Sequence, residues 1–309
     1  MPDATAPYEE FGLLHENAEE MGLPFDSPPP VGRVFVDVDP DRRMSAIRFG
    51  DSPPQLVLLH GGAQNAHTWD SVVLALGKPV VAIDLPGHGH SDGPRNGPHE
   101  VDGLAADVAV AIERLAPDAA GVVGMSLGGI TSIALVAARP DLVRRQVLVD
   151  ITPGVTGNKS RSVIDFVNGP ETFASFDELL ERTIAFNPER SVSSLRRGIL
   201  HNAVQQEDGT WVWRWARFRS PLSRGDDRGG SEPAEPAVHY GPLWDAIGAA
   251  TAPLMLVRGM KSTVVDDADE AELKRRRPGV RIEHVENAGH SIQGDAPQEL
   301  AALLADFVP

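Results

Sequence analysis

Ser126 is the residue whose neighbours best equip it for chemistry. It stands at the centre of Gly124-Met125-Ser126-Leu127-Gly128, with Gly129 behind it. Gly121-Val122-Val123 reads as the start of a short buried strand. Beyond the serine, Leu127, Ile130, Ile133, Ala134 and Ala137 recur at helical spacing until Arg139-Pro140 stops the run. A strand that turns directly into a helix at Gly-x-Ser-x-Gly strains the serine backbone. It also leaves no room for side chains two residues away, which the glycines satisfy. Such a turn lifts the Ser126 hydroxyl above the sheet edge. It sets the Leu127 N–H at a helix N-terminus, where developing negative charge is stabilised. The bland alternative is a glycine-rich turn carrying an incidental serine; the flanking strand and helix favour a nucleophile.

The elements that must hold this turn are legible on both sides. Val34–Val38 and Met44–Phe49 alternate as an antiparallel hairpin. Gln55–Leu59 is a continuous apolar strand ending in His60-Gly61-Gly62-Ala63, and Val80–Asp84 is another. Strands apolar on both faces belong to a sheet covered by helices. Helices are expected over Thr68–Leu76 and over Val101–Leu115, the latter with an amphipathic pattern. Gln146–Asp150, Pro253–Gly259 and Val280–Val285 continue the strands, with helices over Asp267–Arg277 and Pro297–Phe307. Strands alternating with helices predict an α/β fold built on a mostly parallel sheet.

Between these blocks the pattern weakens. Residues 153–244 show helical fragments around Ser160–Phe166, Phe176–Ala185 and Ser191–Leu200. Trp211, Trp213 and Trp215 then alternate at period two, and packing on one face of a strand is preferred over lining a pocket. Arg224–Ala237, rich in glycine, proline and charge, reads as an exposed loop. In residues 1–32, Phe11, Leu14, Ala18 and Met21 can line one face of a short helix among glutamates, closed by Pro28-Pro29-Pro30; an acidic arm packed loosely on the surface is preferred over a partner-binding helix.

Composition narrows the function classes. The 309-residue chain has a formal net charge of -16, which argues against nucleic acid and anionic membrane as partners. It has no cysteine, hence neither disulfide framework nor thiol nucleophile. No apolar run reaches the length of a membrane span, and the acidic start lacks the features of a signal peptide. A cytoplasmic enzyme with a small-molecule substrate is the expectation; oligomeric state is not readable. His88 and His90 have a spacing that invites a metal, but no further ligand cluster accompanies them, so no metal or organic cofactor is expected.

With its strand, Gly-x-Ser-x-Gly and helix in that order, the chain resembles the α/β-hydrolase family. The resemblance covers residues 33–152 and 245–309, and residues 153–244 correspond to the family's cap or lid insertion. Asp84-Leu85-Pro86-Gly87-His88-Gly89-His90-Ser91 is similar to that family's Asp-x-Pro-Gly-x-Gly-x-Ser loop. The resemblance implies that the N–H of Gly62, or failing that Ala63, joins Leu127 in an oxyanion hole. It also implies that His290, in Asn287-Ala288-Gly289-His290-Ser291 between the last strand and the last helix, is the base. Histidine suits that task because its pKa lies near neutrality.

The acid departs from the common pattern. Most of the family carries it after the strand ending at Val257, where this chain has Ser262 and Thr263, neither bearing charge. Two carboxylates remain, Asp150 at the end of the preceding strand and Asp266 downstream, and Asp150 is preferred. The expected chemistry is ester or acyl hydrolysis by Ser126, His290 and Asp150 through an acyl-enzyme. The rivals are a cofactor-free dioxygenase, lyase or cyclase using the His–Asp pair to abstract a proton, and a slow-turnover ligand-binding protein.

Overall fold

The computed structural model describes residues 8–94, 100–215 and 240–309, so the predicted loop Arg224–Ala237 lies outside the described residues. The chain opens with helix α1 (Leu14–Glu20), then the hairpin of β1 (Val31–Asp39) and β2 (Arg42–Phe49). There follow β3 (Leu56–Leu59), α2 (Asp70–Leu76), β4 (Val80–Ile83), α3 (Val101–Leu115), β5 (Gly121–Met125), α4 (Leu127–Ala138) and β6 (Gln146–Val149). An insertion carries α5 (Arg161–Val167), β7 (Thr172–Phe173), α6 (Phe176–Phe186), α7 (Val192–Asn202), β8 (Ala203–Gln205) and β9 (Trp211–Trp213), and α8 (Gly241–Ala249), packed on α4, leads back to the main sheet. The main sheet resumes with β10 (Leu254–Gly259), α9 (Asp267–Arg276) and β11 (Arg281–Val285), and the chain ends in α10 (Ile292–Asp295) and α11 (Pro297–Phe307).

Eight strands form one sheet in the order β1-β2-β4-β3-β5-β6-β10-β11, parallel from β4 onward and antiparallel at β1 and β2. Every residue of β3, β4, β5 and β6 is buried, as a sheet covered on both faces requires. The core divides accordingly. Trp69, Val73 and Leu304 pack on one face, and Val108, Ile112 and Leu135 on the other. In α/β sheets of this kind the loops at the carboxyl ends of the strands form the crevice for a ligand.

The N-terminal segment differs from the expected loose arm. Leu14 and Ala18 are 2% and 1% exposed, and Leu14 belongs to the cluster around Trp69. Spacing set these apolar residues on one face of α1, and α2 supplies the surface that covers them. The glutamates between them are used as well. Glu10, ahead of the helix, pairs with Arg33, while Glu16 and Glu20 on α1 pair with Arg196 and Arg197, so the segment bridges the sheet layer and α7 of the insertion.

Within the insertion a small sheet, β7-β9-β8, carries Phe173 and Trp211 against Leu179 and Ile199. Trp211 packs edge-on against Phe176 at 5.1 Å. Trp213 packs against Phe173 at 6.0 Å and also lines the large cavity, so for this residue the two sequence-based readings coexist.

Candidate active site

Ser126 joins β5 to α4 at φ 49° and ψ −117°, a conformation that costs free energy for a residue with a Cβ. The glycines explain why the turn closes. A Cβ on Gly124 would lie 2.4 Å from the Gly128 oxygen, and one on Gly128 would lie 2.3 Å from the Leu59 oxygen. The helix start is thus pressed onto the end of β3. The Leu127 N–H, in the first turn of α4, has no intrahelical acceptor.

The loop after β3 lies against the same turn. A Cβ on Gly61 would meet Met125 Sδ at 2.5 Å and Ser126 Cβ at 3.3 Å, and one on Gly62 would stand 4.0 Å from the Leu127 side chain. Ala63, the fallback donor, spends its N–H on His88 Nε2 at 3.1 Å. The Gly62 N–H has no acceptor among the described residues.

His90 and His88 serve the neighbouring loop. His88 Nδ1 donates to the Pro86 carbonyl at 3.1 Å while Nε2 accepts from Ala63, so both ring nitrogens are engaged by main chain. Burial, aided by the nearby His60, pushes its pKa down to about 3, which keeps it neutral. The His90 main-chain N–H donates to Asp84 at 3.0 Å.

Asp150 and His290, 140 residues apart, meet at the carboxyl end of the sheet, with His290 Nδ1 2.8 Å from Asp150 Oδ2. Asp150 is fully buried and sits at φ 49° at the end of β6. Its carboxylate accepts the Gly259 N–H at 3.0 Å on Oδ1 and the Ser262 hydroxyl on Oδ2. The two loops that carry the pair are locked together. Lys261 N–H donates to the Ala288 carbonyl at 3.0 Å, and a Cβ on Gly259 would lie 2.2 Å from the Gly289 oxygen. Asp266 is elsewhere in role. It caps α9 in a reciprocal box with Asp269 and pairs with Lys159 at 2.9 Å.

Ser126 and His290 open on one cavity of about 610 Å³, a volume in the range of small-molecule sites. The sheet loops form its floor. The insertion forms its wall, with Phe166 and Phe186 stacked at 4.3 Å and Trp213 beside Phe166 at 6.1 Å.

The same cavity holds polar residues that no motif announced. Arg190 lies against Gly294, where a Cβ would come within 2.6 Å of the guanidinium carbon, and burial lowers its pKa. His67, Asp70 and His201 form a buried group on another part of the wall. His67 Nδ1 is 2.9 Å from Asp70 Oδ2, and the His67 and His201 rings stack at 3.8 Å. Burial opposes a charge on His67, but Asp70 and Glu10 outweigh it and raise the pKa to about 9. His201, buried beside that cation, is held well below the ordinary value. His67 and Asp70 show only as a three-residue spacing, and nothing in the sequence ties them to His201, 131 residues further on.

The comparisons with known proteins agree with this architecture. The family model for the α/β-hydrolase fold matches residues 54–297. The chain is 42% identical over 310 residues to the esterase Rv0045c of Mycobacterium tuberculosis, covering 98% of this chain and 96% of that one. A crystal structure of that esterase superposes with a TM-score of 0.81 at 41% identity, covering 97% of this chain and 98% of the other. A second one, concerned with its inhibition by transition metals, gives 0.83 at 41% identity, covering 97% and 99%. The chain is also 27% identical to 2-(acetamidomethylene)succinate hydrolase of Mesorhizobium japonicum, covering 88% of this chain and 94% of that enzyme. The chain belongs to the α/β-hydrolase fold family. Within it, the chain is an esterase-like hydrolase.

Proposed function

We propose that the protein is a serine esterase acting on a small-molecule acyl ester through an acyl-enzyme, with Ser126, His290 and Asp150 as its triad. The observation that carries this reading is the 2.8 Å contact between His290 Nδ1 and the buried Asp150 carboxylate, on a cavity that also exposes Ser126 at its strained turn.

The steps follow from the groups present. Asp150 holds the imidazole with Nδ1–H toward itself, which leaves the other ring nitrogen, Nε2, to take the Ser126 proton. Ser126 Oγ attacks the ester carbonyl. The negative charge that develops on the carbonyl oxygen is received by the N–H groups of Leu127 and Gly62; one such donor is worth about 10²–10³ in rate. His290 returns the proton to the leaving alcohol. It then activates water to release the acid. The free Gly62 N–H supports its assignment over Ala63, and the capping duty of Asp266 supports Asp150 as the acid.

We take residues 33–152 and 245–309 as the hydrolase core and residues 153–244 as a cap that closes the acyl site. The aromatic wall of Phe166, Phe186 and Trp213 fits an apolar or aromatic acyl group. Fluorophosphonate labelling tests the mechanism. Stoichiometric modification of Ser126, with ester turnover abolished in Ser126→Ala, is the expected result. Full turnover in Ser126→Ala together with loss in His290→Ala would instead establish proton abstraction by the His–Asp pair.

A further inference from the structure

We infer that Arg190 is a positioning residue for the base: through Asp295 it ties the insertion to the loop that carries His290. The inference rests on the reading of His290 as that base. Arg190 stands just ahead of α7 in the insertion. Gly294 and Asp295 end α10, the single turn that follows His290 and Ser291.

Three contacts build the tie. Asp295 Oδ2 accepts the Gly289 N–H at 2.9 Å, so this carboxylate holds the backbone immediately before His290. Asp295 Oδ1 lies 3.8 Å from Arg190 Nε, an ion pair that joins the two layers. Arg190 Nη2 donates to the Ser194 hydroxyl at 2.7 Å, which anchors the guanidinium on the first turn of α7. The guanidinium is also pressed onto α10 at Gly294. A Cβ there would lie 2.6 Å from Cζ and Nη2 and 2.8 Å from Nη1. Such near-equal separations mean that the flat face of the group meets the backbone, an approach that glycine allows.

The tie runs beside the reacting groups. Arg190, Gly289, His290, Gly294 and Asp295 all line the acyl cavity. Arg190 Nε is buried without a hydrogen-bond acceptor, a costly arrangement for a mere cross-link between layers. Burial raises the Asp295 carboxyl above the ordinary range. Arg190 is the chief charge opposing this, helped by the Gly289 N–H and His290, while Glu189 adds to it. Glu20 of α1 and Lys261 of the loop after β10 line the adjoining cleft with Asp295. Without Arg190 the carboxyl takes up a proton at higher pH, and once protonated it is a weaker acceptor for the Gly289 N–H.

The test measures kcat, KM and amide exchange in the full-length protein and its variants. Arg190→Ala should lower kcat about 10–10²-fold, the range for a displaced reacting group, and leave KM nearly unchanged. Arg190→Lys, which keeps the charge, should recover most of that loss. Gly294→Ala should lower kcat by displacing the guanidinium, yet lower it no further in Arg190→Ala, where that space is empty. The acid limb of the kcat profile should move to higher pH in Arg190→Ala and stay in place when Asp295→Asn is also present. Exchange of the Gly289 amide, followed by NMR, should quicken in Arg190→Ala; this readout needs no turnover. Absence of fluorophosphonate labelling in the unmutated protein would remove the serine mechanism and leave the exchange result to decide the tie. Unchanged kcat and unchanged exchange in Arg190→Ala would overturn the inference. So would an equal loss from Gly294→Ala with and without Arg190, or an acid-limb shift that persists alongside Asp295→Asn.

Discussion

The Ser262 hydroxyl donates to Asp150 Oδ2, the same oxygen that lies 2.8 Å from His290 Nδ1. Ser262 stands in the loop after β10. The Asp150 carboxylate stands one strand over, at the end of β6, and the loop after β10 contributes a donor to it. With the Gly259 N–H on the other oxygen, the carboxylate is held on both sides while it holds the imidazole.

Replacing Asp150 by asparagine should keep the fold and lower kcat by about 10⁴, since an amide stabilises neither the required tautomer nor the imidazolium. Asp266→Ala should leave kcat within twofold, and loss of the α9 cap should cost about 0.5–2 kcal/mol of stability. Steady-state kinetics and urea unfolding of both variants separate the two carboxylates.

Ser262→Ala removes one donor and no charge. A hydrogen bond to an ionised carboxylate is worth about 1.5–3 kcal/mol, so kcat should fall about 10–10²-fold with KM unchanged. An equal loss in the rate of fluorophosphonate labelling would locate the effect in activation of Ser126. Unchanged kcat would show that the Gly259 N–H suffices to hold the carboxylate.

Leu14→Ala tests how firmly the N-terminal helix is attached. Leu14 is 2% exposed within the main cluster, and truncating such a residue costs about 2–5 kcal/mol. Urea unfolding monitored by tryptophan fluorescence should show that loss; a change under 0.5 kcal/mol would mean that the helix is held by its ion pairs instead.

Asp84 predicts an acid branch of the stability curve. Burial alone would raise its pKa, but Arg33 above all, with His60 and the Ala66 and His90 N–H groups, holds it below the ordinary carboxylate value. A carboxyl depressed in the folded state stabilises fully above its unfolded value, near 3.9, and that stabilisation is lost as pH falls through the folded value. Asp84→Asn should therefore be less stable than the parent at neutral pH and flatter below about pH 4. Parallel curves for the two proteins across that window would refute the assignment.

The main sheet and its helices were legible because their periodicities are strong. Val101–Leu115 and Pro297–Phe307 appear with the bounds their patterns set. The hairpin is longer than its alternation suggested, starting at Val31 and Arg42, because its edge residues are only partly covered. Ser126, Asp150 and His290 could be found because each follows a recognisable strand. Glu10, His67, Asp70 and His201 could not, since their proximity is created only when α1 and α7 close on α2. The attachment of α1 was missed for a similar reason. A sequence rich in glutamate reads as solvated until the arginines that answer it, Arg33, Arg196 and Arg197, are known to be near.

That attachment has two unlike halves, and dissolved salt will act on them differently. On the sheet side the helix is fixed by Leu14 and Ala18, which added electrolyte leaves untouched. Toward α7 it is fixed by partly wetted carboxylate–guanidinium contacts, which electrolyte screens over about 8–10 Å at ordinary ionic strength and over about 3 Å at 1 M. In brine the amino-terminal helix therefore stays seated while its grip on the far wall of the cavity slackens, so ionic strength becomes a dial on how freely that wall breathes.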